Sequence, residues 1–140
     1  MKNFLLFLFI MSGFCCTAQS KDESAIRELL NEQTQAWNQG SIERFMNTYW
    51  ENDSLMFIGK NGVTHGWLNT LNNYKRNYPD TAAMGKLSFT ILTLRQLSAE
   101  YFYVVGKWHL QRSIGNLSGH YDLLLRKIKG RWVIIADHSS

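Results

Sequence analysis

From Lys86 onward the apolar residues fall mostly on alternate positions, whereas before it they recur every three or four. A period of two marks a strand with one buried face, and a period near 3.6 marks a helix. The period changes without any proline-rich or low-complexity linker. That pattern predicts a single α+β domain, with helices first and a long antiparallel meander after them. A chain of 140 residues fits one such domain.

In the helical part, Ile26, Leu29, Leu30, Gln33 and Trp37 share one face. Ser20 and Glu23 have capping-box spacing, and Asp22 is a rival N-cap. Asn38-Gln39-Gly40 closes this helix, and Ser41 caps a second that carries Ile42, Phe45, Met46, Tyr49 and Trp50. Ser54–Ile58 and Val63–His65 read as a hairpin around Gly59-Lys60-Asn61-Gly62. Trp67, Leu71, Tyr74 and Tyr78 predict a third helix stopped by Pro79. The strands Leu87–Leu97, Tyr101–Gln111, Ser118–Lys129 and Arg131–His138 complete the chain, with Leu92 and Leu94 breaking the alternation of the first.

The first eighteen residues read differently. Lys2 precedes an unbroken apolar run from Phe4 to Met11, and Cys16-Thr17-Ala18 offers small residues for cleavage before Gln19. This is the order of a secretory signal peptide, and the run is too short to span a bilayer. The expected domains are therefore a signal peptide, 1–18, and one mature domain, 19–140, that is periplasmic or secreted and off the membrane. Both cysteines, Cys15 and Cys16, leave with the leader, so thiol chemistry leaves too. Lipid anchoring through either cysteine is the competing expectation, though Phe14 and Cys15 precede them where a small residue is usual. The formal charge of +4 is scattered apart from Arg126, Lys127, Lys129 and Arg131 at the last hairpin, which argues against a nucleic-acid partner.

An even loop between the second and third long strands pairs odd with even positions across them. Lys107 and His109 then share a face with His120, Asp122 and Leu124, while Val104, Gly106, Trp108, Leu110, Tyr121, Leu123 and Leu125 share the other. The second face is core-like. The first mixes charged and apolar residues, so it is either solvated sheet or a cavity lining with a few placed polar groups. His120 with Asp122 is the candidate acid–base pair, a carboxylate orienting an imidazole; the same residues equally make a structural hydrogen-bond network. His109, His120, Asp122 and His138 are possible metal ligands, but no His-Glu-x-x-His spacing supports a metal, and nothing points to a cofactor.

The helix–turn–helix Ile26–Trp50, the segment Tyr49-Trp50-Glu51-Asn52-Asp53, the hairpin before Trp67 and the closing run from Lys129 to Ser139 together resemble the nuclear transport factor 2-like superfamily. The likeness is strongest to its SnoaL-like and "domain of unknown function 4440" branches. It implies a cystatin-like cone: a curved antiparallel sheet around the N-terminal helices, with a pocket at the open end and homodimers through the outer sheet surface. Aligned with the family's ketosteroid isomerases, Asp122 lands on a buried carboxylic acid that holds an oxyanion. The isomerase's general base falls on or near Phe57 and its oxyanion tyrosine on or near Gln33, so isomerase chemistry is not implied.

The expected catalytic residues are His120 and Asp122. The expected ligand-binding residues are Tyr49, Phe57, Trp67, His109, Leu124, Ile135 and Asp137. The expected function is an exported small-molecule-binding domain, holding a mostly apolar ligand. A lyase or isomerase using His120 and Asp122 is one alternative, and a dimeric protein-interaction module is another.

Overall fold

The computed structural model describes residues 15–140, with side chains described from Lys21. The expected leader features, Lys2 and Phe4–Met11, lie outside the described residues. Helix α1 spans Cys15–Asn38, α2 Ile42–Met46, α3 Trp67–Asn77 and α4 Thr81–Met84. Strands β1 (Met56–Gly59) and β2 (Gly62–His65) form the short hairpin; β3 (Lys86–Gln96), β4 (Tyr101–Gln111), β5 (Leu117–Ile128) and β6 (Arg131–Ser139) form the meander. No helix among the described residues is long and apolar enough to cross a membrane.

Ile26, Leu29, Leu30, Gln33 and Trp37 are buried along one stripe of α1, as their spacing demands. The helix stops at a Schellman motif. Gly40 takes a φ of 77°, its N–H bonds to Trp37 O at 2.8 Å, and Ser41 N–H reaches Ala36 O at 3.0 Å. Ser41 Oγ then accepts from Arg44 N at 3.3 Å and starts α2.

The start of α1 departs from expectation. The helix runs back to Cys15, so neither Ser20 nor Asp22 caps it. Asp22 instead makes tertiary bonds: it accepts from Lys127 Nζ at 2.7 Å, Trp132 Nε1 at 3.1 Å and Gln96 Nε2 at 3.4 Å. The first of these bonds leads in holding its carboxyl below the usual range, and the three together tie α1 to the sheet. α4 was not anticipated; Asp80 caps it through Ala83 N at 2.8 Å.

The sheet is curved and unclosed, with strand order β2-β1-β6-β5-β4-β3. Every neighbouring pair is antiparallel except β1 and β6, which run parallel with Phe57 beside Asp137. Two bulges add bend and twist. One inserts Leu92 between Ile91 and Thr93 and accounts for the broken alternation there; the other inserts Ile135 between Ile134 and Ala136. The helices fill the concave side, where Ile26, Met46, Leu55, Val104, Leu125 and Ile134 are fully enclosed.

Candidate functional site

On β4 and β5 the register pairs Lys107 with His120, Val105 with Asp122, Gly106 with Tyr121 and Trp108 with Gly119. Odd positions thus face even ones, and the two faces divide as the parity argument has it. The concave face carries both the packed core and a cavity of about 430 Å³. Val104 and Leu125 lie at the core end, under the helices, while Trp108, Leu110, Tyr121 and Leu123 line the cavity. The rim is the β1–β2 turn, Asn73 and Asn77 of α3, and Leu117, Ser118, Ser139 and Ser140.

Asp137 is the acid of this cavity. β6 turns it inward, beside Phe57 on β1, and leaves it 4 % exposed. Tyr49 Oη donates to Asp137 Oδ2 at 2.6 Å, and Ser139 Oγ donates to Oδ1 at 2.9 Å. Tyr49 is placed by main-chain bonds between the end of α2 and β6: Ile134 N–H to Thr48 O at 3.0 Å and Trp50 N–H to Ile134 O at 2.9 Å. Burial raises the Asp137 carboxyl to about 6 against the pull of those two hydroxyls. Burial, then the Asp137 charge, pushes the phenols of Tyr49 and Tyr74 well above their usual value.

The back wall is aromatic. Trp37 meets Phe45 and Tyr78 edge-on at 5.1 and 4.9 Å, and Tyr74 packs on Phe45 at 5.3 Å and Phe57 at 5.6 Å. Trp37 Nε1 is fixed by Met84 O at 3.0 Å, so these rings form a braced surface.

Of the expected site residues, Tyr49, Phe57 and Asp137 border the cavity. The others lie elsewhere. His120, Asp122, His109 and Leu124 sit on the convex face, outside the cavity, with Asp122 bonded to His138 Nδ1 at 3.0 Å. Ile135 is the bulge residue of β6 and is not on the cavity wall. Trp67 does not line the cavity either; its Nε1 donates to Met46 O at 2.9 Å and holds α3 against α2. The reason is curvature: in a bent sheet with helices on the hollow side, core and cavity share the concave face, and the mixed face is solvated. In the isomerase alignment, Gln33 and Phe57 do line the cavity, whereas Asp122 stands on the outer face.

Trp108 and Tyr121, which the pattern puts on a core-like face, also line the cavity, and so does Gln33, which the isomerase alignment puts near the oxyanion tyrosine. Their signal was present as pattern: Trp108 and Tyr121 each face a glycine across the β4–β5 ladder. Among the described residues no three of His, Cys, Asp and Glu come together to hold a metal.

A scan of protein-family models finds no match to the chain, and a search of curated proteins finds none either. Among solved structures, it is similar to an NTF2-like protein of unknown function from Shewanella oneidensis, at 43% identity and a TM-score of 0.82. That match covers 85% of this chain and 98% of the other. The chain belongs to the NTF2-like family. Two solved structures of lower identity agree in fold. A domain of unknown function with a cystatin-like fold from Nostoc punctiforme matches at 17% identity and a TM-score of 0.72, over 86% of this chain and 77% of that one. A ketosteroid isomerase-like protein from Erwinia carotovora atroseptica matches at 19% and 0.66, over 84% and 93%.

Proposed function

We propose that this NTF2-like chain is an exported protein of the SnoaL-like, "domain of unknown function 4440" branch that binds a small, mostly apolar molecule in its cone cavity. The observation that carries the reading is a buried acid, Asp137, held by Tyr49 and Ser139 at one wall of an otherwise largely apolar, aromatic cavity. A pocket of that kind buries most of a small ligand and orients it through a few polar groups. Tyr49, Phe57 and Asp137 are the ligand contacts in this reading. Residues 1–18 act as the signal peptide and 19–140 as the periplasmic or secreted domain. Cleavage after Ala18 would remove the start of α1 and keep the stripe from Ile26 onward.

The convex face would join two copies as a homodimer. Leu92 there is 51% exposed, and Tyr103, Val105 and Leu124 are half-buried beside it.

The test is native mass spectrometry of the protein purified from its own host. A small molecule retained at one per subunit supports the reading. A protein that stays empty, and whose melting temperature no apolar compound raises, contradicts it.

Turnover is the second reading, and one observation favours it. Asp137, rather than His120 or Asp122, has a carboxyl near 6 inside the cavity, in the range where an acid can also serve as a base. The Erwinia neighbour, a ketosteroid isomerase-like protein, is compatible with this. Asp137→Asn would then keep the ligand and lose turnover; turnover that persists in that variant excludes the reading.

A further inference from the structure

Strands β4 and β5 build one wall of the cavity from two crossed pairs. Gly106 faces Tyr121, and Trp108 faces Gly119. A Cβ on Gly106 would sit 2.4 Å from both Cζ and Oη of Tyr121, so the phenol lies flat on the opposite strand. A Cβ on Gly119 would sit 2.9 Å from Trp108 Nε1 and 1.7 Å from Ser140 O. Gly106 is therefore the space into which the Tyr121 ring settles, whereas the space over Gly119 is taken first by Ser140 O, with the polar tip of Trp108 beside it. The Tyr121 ring thus lies against the sheet at Gly106 instead of standing in the hollow.

The polar tips of these rings are unspent. Tyr121 Oη and Trp108 Nε1 are buried and find no hydrogen-bond partner among the described residues; nor does Nε2 of Gln33, on the helix side of the same cavity. Gln33 is 2 % exposed and Tyr121 4 %. A buried donor without a partner is costly, on the order of 1–3 kcal/mol, so three around one cavity mark a place where acceptors belong. An indole N–H and an amide N–H can only donate. Burial, then the nearby Asp137 charge, pushes the Tyr121 phenol up to about 12, so it stays protonated.

Charge narrows the class of molecule. Among the described residues lining the cavity, the one cationic side chain is Lys60, on the exposed turn at the rim, and the one acidic side chain is Asp137. A carboxylate or phosphate at the three donors would meet the Asp137 charge with no cation beside it.

We infer that the crossed Gly106–Tyr121 and Trp108–Gly119 pairs form a recognition wall that, with Gln33, selects uncharged apolar ligands bearing an oxygen acceptor and rejects anions of the same shape. The inference rests on the ligand-binding reading above and names the chemistry of its occupant.

The test compares three probes of matched shape at pH 7.5: 2-acetonaphthone, 2-naphthoate and 2-isopropylnaphthalene. Binding is followed by titration and by the indole N–H resonance of Trp108, assigned through Trp108→Phe. The ketone should bind about tenfold more tightly than either of the others and move that resonance downfield, the effect of one or two hydrogen bonds. Tyr121→Phe and Gln33→Leu should each bring ketone binding close to hydrocarbon binding in the same variant, with folding checked separately by circular dichroism. Equal binding of ketone and hydrocarbon, or tighter binding of naphthoate, overturns the inference and leaves a ligand cavity in place. Failure of all three probes to bind overturns the inference, while the ligand-binding reading falls only if the protein from its own host is also empty.

Discussion

Tyr49 and Asp137 stand 88 residues apart in sequence and meet at 2.6 Å, the phenol donating to the carboxyl inside the cavity. Two unrelated stretches of backbone are needed for that contact: the turn after α2, where Tyr49 bridges to Ile134, and the parallel pairing of β6 with β1. The setting of the Asp137 carboxyl is consequently a property of the folded chain.

Tyr49→Phe removes the stronger of the two hydrogen bonds that hold the Asp137 carboxyl down. Its titration midpoint, followed by carbon NMR of the side chain, should rise above the wild-type value near 6. The protein should lose roughly 1.5–3 kcal/mol, the range for a hydrogen bond to a charged group. An unchanged midpoint contradicts the coupling.

Stability should depend on pH through the same residue. An acid whose folded value lies above its unfolded one binds its proton more tightly when folded. Its contribution is therefore complete below about 3.8 and is lost as pH rises through about 6. Urea unfolding of wild type against Asp137→Asn isolates it. From pH 4 to pH 7 the wild type should weaken relative to the variant, by about 2 kcal/mol. A difference that stays flat across this window rules out the raised carboxyl.

Gly106→Ala should push the Tyr121 ring off the β4 surface, because the new methyl would lie 2.4 Å from it. Overpacking of this kind costs about 1–3 kcal/mol. In a Tyr121→Ala background most of that cost should vanish, and a double-mutant cycle of denaturation midpoints measures it. Additive effects would mean that the ring does not occupy the glycine's space.

Asp22→Ala should loosen α1 from the sheet. It strands the buried Trp132 Nε1 and frees Lys127, for a loss of about 1–2 kcal/mol and faster amide exchange at the start of α1. Exchange that is unaltered there would show that the helix needs no such anchor.

Much of the fold is legible in the amino-acid pattern. The single change of period at Lys86 marks where helices give way to sheet, and the parity of β4 against β5 sorts Lys107 and His120 from Trp108 and Tyr121 as the ladder does. The parallel pairing of β1 with β6 is not legible, since nothing local in Met56–Gly59 names a partner some eighty residues away. Asp22 carries the spacing of a cap, yet its partners on β3, β5 and β6 come together only after folding.

The site divides in the same manner. Tyr49, Phe57 and Asp137 were legible through family resemblance. His120 and Asp122 are conventional acid–base groups on one strand face, but parity alone does not say which face of a curved sheet is hollow. The cavity is instead lined by residues that look like core. Trp108, Tyr121 and Gln33 are distinguished from ordinary core residues only by polar atoms that the surrounding protein leaves unpaired.

In this reading the concave cavity, and not the convex face, holds the ligand. The decisive experiment is native mass spectrometry of wild type, Leu123→Trp and Asp122→Asn, all purified from the same host. Leu123 lines the cavity, so a tryptophan there fills it, whereas Asp122 faces outward beside His138. The wild type and Asp122→Asn should carry the same small molecule and Leu123→Trp should be empty, with all three folded by circular dichroism. A ligand that survives in Leu123→Trp but is lost in Asp122→Asn would contradict the account.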